Sequence, residues 1–254
     1  MRTMTSGAAK LWTGLALFFG LTPGFAQEVC KIPVAIDVPA VRSPDYVNKD
    51  KPTDYMALVL SWSPQHCEGQ RNQPEEVKKK HAHQCFSVNQ FEWVVHGLWP
   101  QNAKASSNQD HPRHCNASAA LPSDLLKQHL CMMPGVDLMQ NEWQAHGTCG
   151  WSTGQAYFSD IQKVYGALKR PTTQDMVGSG HGPNRLIDST ARKVKASFLA
   201  LNPSLEADQL RVNVASGNRL KEIWLCLDNQ LKPAACPAGG TPDQQAISVR
   251  TPHQ

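Results

Sequence analysis

The sequence predicts a single α+β domain, in which helices pack on a central antiparallel sheet and disulfide bonds staple the fold. Three observations support this prediction. The 254 residues suit one large domain, since no internal repeat or long linker divides them. Strand-like apolar runs and helical apolar stripes both occur, in separate stretches. The 8 cysteines are an even number, as in disulfide-rich exported proteins.

The amino terminus resembles an export signal. A basic start precedes an apolar run at residues 11–21 and a small-residue cleavage site at 24–26. We therefore expect residues 1–26 to be a signal peptide and residues 27–254 to form the domain, in the periplasm or outside the cell. A buried amino-terminal helix is the alternative. No later stretch reaches the roughly 18 to 20 apolar residues of a membrane helix, so we expect a soluble product with no membrane partner.

Two stretches in the first half of the chain are typical of buried strands. Residues 55–62 form a nearly continuous apolar run between two prolines. Residues 91–99 are rich in β-branched and aromatic side chains and end before a proline. The polar residues 68–84 between them predict a loop, closed by Cys67 and Cys85.

The rest of the chain predicts a surface loop, four helices and a hairpin. The loop is the polar, histidine-rich stretch 102–116. Helical spacing of apolar residues and terminal Pro or Gly residues predict helices over 122–129, 137–146, 156–169 and from 189 or 190 to 201. Two strands, 210–214 and 220–227, flank the turn candidate Ser216-Gly217-Asn218.

Charge alone says little about the partner of the protein. The chain has 25 basic and 21 acidic residues, and removing the two basic residues of the signal leaves 23 − 21, a charge of +2. The Lys triplet at 78–80 is more typical of a solvated face than of a nucleic-acid patch. The 10 histidines would add positive charge in a mildly acidic compartment, where an acidic polymer would be attracted more strongly.

The cysteines predict disulfides rather than a metal centre. All eight lie beyond the signal, at positions 30, 67, 85, 115, 131, 149, 226 and 236. Spacing alone allows 105 pairings of eight cysteines. Two histidine clusters, at 81–85 and 111–115, each include a cysteine and leave a metal site as the alternative. We expect no metal and no cofactor, because an oxidised cysteine cannot bind a metal.

Two short segments carry residues suited to acid–base chemistry. The first is His96-Gly97-Leu98-Trp99-Pro100, inside the second predicted strand. The second is Glu142-Trp143-Gln144-Ala145-His146-Gly147-Thr148-Cys149, where Glu142 and His146 share one helix face. A pair of histidines can deprotonate a nucleophilic hydroxyl and protonate a leaving oxygen, which suits phosphodiester cleavage. For either segment alone, a core histidine or a surface helix pair is the simpler interpretation.

Together, the two segments resemble the active-site segments of the T2 family of secreted acid ribonucleases. The resemblance extends to residues 58–67, to 222–228 and to Cys236-Pro237, and so spans roughly residues 54–237. It implies an endoribonuclease whose substrate is single-stranded RNA. The ribose 2′-hydroxyl would attack the adjacent phosphorus, leaving a 2′,3′-cyclic phosphate without help from a metal. DNA lacks this nucleophile and would not be cleaved.

The resemblance also implies roles for individual residues. His96 and His146 would act as general acid and base, Glu142 would support the phosphate centre, and Trp99 would stack on a base. Plain core packing is the alternative for Trp99. We expect a monomer. The implied disulfides are Cys67 with Cys85, Cys115 with Cys149 and Cys226 with Cys236, which leaves Cys30 to pair with Cys131.

Three positions depart from the family pattern. Asn141 replaces a frequent phosphate-binding histidine, Ala145 replaces the usual lysine before the last histidine, and Gln101 stands where some members have a base-recognising aspartate. We therefore expect a slower enzyme, unless another cation fills the space, and we derive no base preference. A catalytically weakened RNA-binding homologue and a secreted metal-binding protein are the other hypotheses.

Overall fold

The computed structural model describes Met1 and residues 30–253. The predicted signal peptide therefore lies, apart from Met1, outside the described residues. The helices and strands are β1 (Tyr55–Trp62), α1 (Ser63–Gln70), α2 (Glu75–Lys80), α3 (Ala82–Cys85), β2 (Trp93–Gln101), α4 (Ser123–His129), α5 (Val136–Ala145), α6 (Gly154–Ala167), α7 (Thr173–Val177), β3 (Leu186–Thr190), α8 (Ala191–Leu201), β4 (Leu210–Ala215), β5 (Arg219–Leu227) and β6 (Ala246–Arg250).

The predicted α+β class is confirmed. The strands form one sheet in the order β2-β1-β5-β6-β3, and β4 also pairs with β5. The pairs are antiparallel except for a single parallel pair between β5 and β6. The predicted hairpin connects β4 and β5. Gly217 and Asn218 both have positive φ in its turn, as a tight hairpin with right-handed strand twist requires.

Strand β1 is buried on both faces, which explains its nearly continuous apolar run. Leu58, Leu60 and Trp62 belong to the main core, beneath the helices. Ala57 and Val59 alternate with them and belong to a smaller cluster on the opposite face of the sheet. Apolar side chains thus pack on both faces of β1. The strand pairs along its two edges with β2 and β5.

The prediction of a loop over residues 68–84 is wrong. The structure has the end of α1 there, followed by α2 and α3. No side chain of α2 is buried, so the helix leaves no apolar stripe in the sequence. Acidic residues in its first turn and the Lys triplet in its last turn instead complement the helix dipole. The short elements α7, β3 and β6 were not predicted either.

All eight cysteines are paired in the structure. The bonds are Cys30–Cys131, Cys67–Cys85, Cys115–Cys149 and Cys226–Cys236. Cys115–Cys149 connects the end of the loop 102–116 to the 3₁₀ turn Gly147–Cys149 that follows α5. A native disulfide in a secreted domain typically contributes about 2 to 5 kcal/mol. The loop is therefore held firmly against the carboxyl end of α5.

The segment of residues 30–54 precedes the sheet and crosses the surface of the domain. Cys30 ties its start to Cys131. The backbone of Arg42 exchanges two hydrogen bonds with the side chain of Gln144 on α5. Within residues 30–253, no helix combines the length and apolar character needed to cross a bilayer.

Candidate active site

His96 occupies a bulge in β2. Its neighbours Val95 and Gly97 pair with Leu60 and Val59, which are consecutive residues of β1, so His96 is the extra residue of the ladder. A bulge re-aims the side chain of the unpaired residue. His96 Nδ1 donates to Glu222 Oε1 at 2.9 Å. The side chain is thus anchored to the sheet at one nitrogen and presents the other to the site.

Glu142 lies between the two predicted histidines. Its Oε1 is 3.6 Å from His96 Nε2, and its Oε2 is 4.0 Å from His146 Nε2. The carboxylate is buried and accepts a hydrogen bond from Trp99 Nε1 at 2.6 Å. A Cβ at Gly97 would collide with this carboxylate, so the glycine allows α5 to approach β2 this closely.

His146 is the first residue after the end of α5. The sequence predicts a helix through residue 146, but the structure ends it at Ala145 and continues into the 3₁₀ turn Gly147–Cys149. The ring of His146 stacks on Trp99 with 5.1 Å between centroids and 28° between planes. The ring of His96 meets the same indole edge-on at 5.0 Å. Trp99 is therefore in contact with both histidines at the site and is not part of the main core.

The two histidines have opposite pKa shifts. Burial opposes protonation of His96, but the hydrogen bond to Glu222 and the charge of Glu142 outweigh it and raise the pKa of His96. Burial, and then neighbouring positive charges, hold the pKa of His146 well below its usual value. These charges belong to Arg113, His96, His114 and His111. The structure therefore favours a protonated His96 and a neutral His146 in the same site.

The two nearby carboxylates are also shifted in opposite directions. Burial raises the pKa of Glu142, although His96 and the Trp99 hydrogen bond act against this. Burial would also raise the pKa of Glu222, but the hydrogen bond from His96 outweighs it and lowers this pKa. Lys221 Nζ adds a contact of 3.2 Å to Glu222 Oε1. Glu222 is thus the firmly ionised partner of His96.

Three polar residues of the site were not predicted as functional. Glu222 was recognised only as part of a strand, although a carboxylate inside an apolar strand is a signal of a buried partner. Arg113, in the loop 102–116, donates from Nη1 to His146 Nε2 at 3.3 Å. Asp45 holds Arg113 from the segment 30–54, and no sequence pattern connects these distant positions.

Two of the three departures from the family pattern, Ala145 and Gln101, lie at buried positions. Ala145 is only 4% exposed, so its position offers little room for a lysine. Gln101 is buried at the end of β2, and its side-chain amide donates to the carbonyl of Pro100. Nothing in the structure explains Asn141 at its position.

The two histidine clusters at 81–85 and 111–115 do not form a metal site in the structure. Cys85 and Cys115 are both oxidised in disulfides. His81 Nδ1 lies 3.2 Å from His66 Nε2. Across residues 30–253, no group of three or more His, Cys, Asp or Glu side chains is arranged to hold a metal ion.

Two cavities flank different parts of the domain. One of about 260 Å³ opens beside His96, and its lining includes Ser61, His66, Lys221 and Glu222. A larger cleft of about 1070 Å³ lies near the disulfide Cys30–Cys131 and contains neither His96 nor His146. Of these two cavities, the smaller one therefore adjoins His96, although its lining does not include His146.

Comparison with known proteins relates the chain to ribonucleases. The sequence model of the ribonuclease T2 family matches residues 53–236, more than half of the chain. A probable ribonuclease of Haemophilus influenzae is 45% identical over 126 residues, which cover 49% of this chain and 46% of that protein. Ribonuclease 1 of Arabidopsis thaliana is 24% identical over 221 residues, covering 79% of this chain and 86% of that protein.

Solved structures share the fold. An RNase-related protein from Calystegia sepium has a TM-score of 0.59 at 18% identity, covering 79% of this chain and 98% of that one. A variant of RNase MC1 in complex with 5′-UMP has a TM-score of 0.53 at 18% identity, covering 77% and 97%. The fold and the matched region are those of ribonucleases. The chain belongs to the ribonuclease T2 family, a family of endoribonucleases. Its alignments with the bacterial ribonucleases of Haemophilus influenzae and Aeromonas hydrophila span 46% and 37% of their lengths.

Proposed function

We propose that the protein is a secreted endoribonuclease that cleaves single-stranded RNA by transphosphorylation, without a metal ion. The observation that carries the proposal is the opposite protonation preference of two histidines on either side of one carboxylate. General acid–base catalysis requires one group that accepts a proton and one that donates it at the same pH. His146 has the properties of the base, and His96 has those of the acid.

The geometry supports a balanced displacement. The 2′-oxygen attacks phosphorus while its proton moves to His146 Nε2. The bond from phosphorus to the 5′-oxygen breaks, and His96 Nε2 gives its proton to that oxygen. A 2′,3′-cyclic phosphate and a free 5′-hydroxyl remain. Both Nε2 atoms face Glu142, so the reacting phosphate would lie beside this carboxylate. A nucleotide base would stack on Trp99 next to the two rings.

The structure also supports proposals about the location and the oligomeric state of the protein. Four disulfides are typical of an oxidising compartment, which supports secretion to the periplasm or beyond the cell. One chain supplies all the residues of the site, so we propose that it acts as a monomer. A catalytically weakened homologue is less well supported, because His96 and His146 lie beside the carboxylate of Glu142, and His96 also pairs with Glu222.

Digestion of RNA in the presence of a chelator tests the proposed reaction. We expect wild-type protein to cut single-stranded RNA in EDTA and to leave 2′,3′-cyclic phosphate ends as the first products. A 2′-deoxy version of the same oligonucleotide is the matched control and should stay intact, because it lacks the nucleophile. Binding of RNA without cleavage would favour the weakened homologue, and loss of activity in EDTA would favour a metal-dependent enzyme.

Glu222→Gln should move the alkaline limb of the pH profile to lower pH. His96 must be protonated to act as the acid, so activity falls as pH rises through its pKa. Glu222 raises that pKa, and the neutral amide would not. The loss of kcat/KM should therefore grow with pH, while the acid limb, governed by His146, stays in place. Asp228→Asn, just beyond the same strand, is the control. An unmoved alkaline limb in Glu222→Gln would show that His96 is not the acid.

A further inference from the structure

The guanidinium of Arg113, in the loop 102–116, contacts one of the two histidines of the site. Arg113 Nη1 donates to His146 Nε2 at 3.3 Å, and the Arg113 side chain is 25% exposed. Because arginine only donates, this contact requires an unprotonated Nε2 on the histidine. The contact therefore places a permanent positive charge beside the proposed base in its neutral form.

The side chain of Arg113 is held in this orientation by Asp45. Asp45 accepts from its Nε and Nη2, each at 3.0 Å, so the pair is bidentate. Hydrogen bonds from Arg113 lower the pKa of Asp45 to about 2, and the carboxylate stays ionised at any pH at which the enzyme would act. The third nitrogen, Nη1, is the one turned toward His146.

The backbone of Arg113 is fixed as well. It exchanges two hydrogen bonds with the backbone of Asn48, of 2.8 and 3.1 Å, and the Tyr46 ring centroid lies 5.3 Å from the guanidinium carbon. Two residues further along, Cys115 is bonded to Cys149, which closes the 3₁₀ turn that begins after His146. The base and the guanidinium are thus supported by one covalently closed frame.

A cation beside His146 would stabilise the negative charge that develops in the proposed reaction. Negative charge builds on the non-bridging phosphoryl oxygens as the 2′-oxygen attacks, and a preorganised donor there stabilises the transition state. Buried Ala145 contributes no cation. Arginine also remains charged while the histidines change protonation, so it can hold the phosphate without taking part in proton transfer.

We propose that Arg113 is the phosphate-binding cation of this site and that Asp45 is the residue that positions it. The inference rests on the proposed ribonuclease function. Asp45 lies outside the matched region 53–236, so the segment 30–54 would complete the catalytic site of this chain. When RNA binds, Nη1 would donate to a phosphoryl oxygen and leave His146 Nε2 to accept the proton of the 2′-hydroxyl.

Arg113→Ala tests the cation. We expect kcat/KM for RNA to fall about a hundredfold, the scale for removing one donor to a developing oxyanion. Arg113→Lys should recover part of this loss, because it keeps the charge but not the bidentate pair with Asp45. Arg42→Ala is the matched control, since Arg42 is on the same segment as Asp45 and pairs with Asp137 instead. It should retain wild-type activity.

Binding of 3′-UMP and of uridine separates phosphate contact from damage to the fold. In Arg113→Ala the affinity for 3′-UMP should fall, while uridine should bind as it does to wild type. Equal 3′-UMP affinity in folded wild type and Arg113→Ala would overturn the proposal, whatever the activities. If wild type binds 3′-UMP through Arg113 but does not cut RNA, the proposed function fails and the phosphate contact stands.

The acid limb of the pH profile is a second readout. The groups facing His146 are Glu142, His96, His111, His114 and Arg113. Arg113 lowers the pKa of His146, so Arg113→Ala should move the acid limb to higher pH, and Arg113→Lys should leave it near that of wild type. An unmoved limb in Arg113→Ala would mean that the guanidinium does not face the base in solution.

A double-mutant cycle tests Asp45. Asp45→Asn should weaken 3′-UMP binding without affecting uridine, and Asp45→Glu should restore part of the affinity. In the Arg113→Ala background, Asp45→Asn should have no further effect on 3′-UMP, because coupled residues are not additive. Additive losses would show that Asp45 acts elsewhere and would overturn its positioning role.

Discussion

His146→Ala should lower kcat/KM for RNA by about a hundredfold to ten-thousandfold, the usual range for a positioned general base. The imidazole is 12% exposed, its pKa is lowered by its surroundings, and it stacks on Trp99 beside the carboxylate of Glu142. Alanine removes the proton acceptor for the 2′-hydroxyl and leaves the other groups in place. Initial rates on a defined single-stranded oligonucleotide measure the loss.

The control for this variant is another histidine. His181 is exposed on a distant loop and contacts the carbonyl of Val177, so His181→Ala should cleave RNA at the wild-type rate. Circular dichroism and melting temperature would verify that His146→Ala is folded. A folded His146→Ala variant with near-normal activity would remove His146 from the mechanism.

Four strands of the sheet, β1, β2, β4 and β5, were predictable because their burial leaves apolar runs in the sequence. Strand β1 is enclosed on both faces and therefore has a nearly continuous apolar run, while β4 and β5 are connected by a turn that needs residues of positive φ. Strands β3 and β6 are five residues each and pair with one another, so neither carries a long pattern. Helix α2 buries no side chain, so its only sequence signal is the acidic first turn and the basic last turn.

The candidate site was predictable only where a local segment of the sequence marks its residues. Glu142 and His146 share a helix turn, and His96 stood out as a polar residue in an apolar strand. Glu222 is 126 positions from His96, and Asp45 is 68 positions from Arg113. Such partners meet through strand pairing and through a surface segment, and no local periodicity encodes either contact. The bulge at His96 also depends on register, which a single strand does not reveal.

The effect of His96→Ala should depend on the leaving group. On RNA, kcat/KM should fall by about a hundredfold or more, because the departing 5′-oxygen is an alkoxide that needs a proton. On the 4-nitrophenyl ester of uridine 3′-phosphate, most of this loss should disappear, since 4-nitrophenolate is stable without protonation. Parallel rate measurements on the two substrates give the comparison.

The same pair of substrates distinguishes the acid from the base. His146→Ala should remain slow on both, because the 2′-hydroxyl is the nucleophile in each case. Since His96→Ala leaves the buried Glu222 without its partner, His96→Gln provides a second variant with a less disturbed packing. If His96→Ala and His96→Gln lost equal activity on both substrates while His146→Ala recovered on the ester, the two roles would be reversed. The opposite pKa shifts of the two rings would then be those of the free site, and binding of the phosphate would have to exchange them.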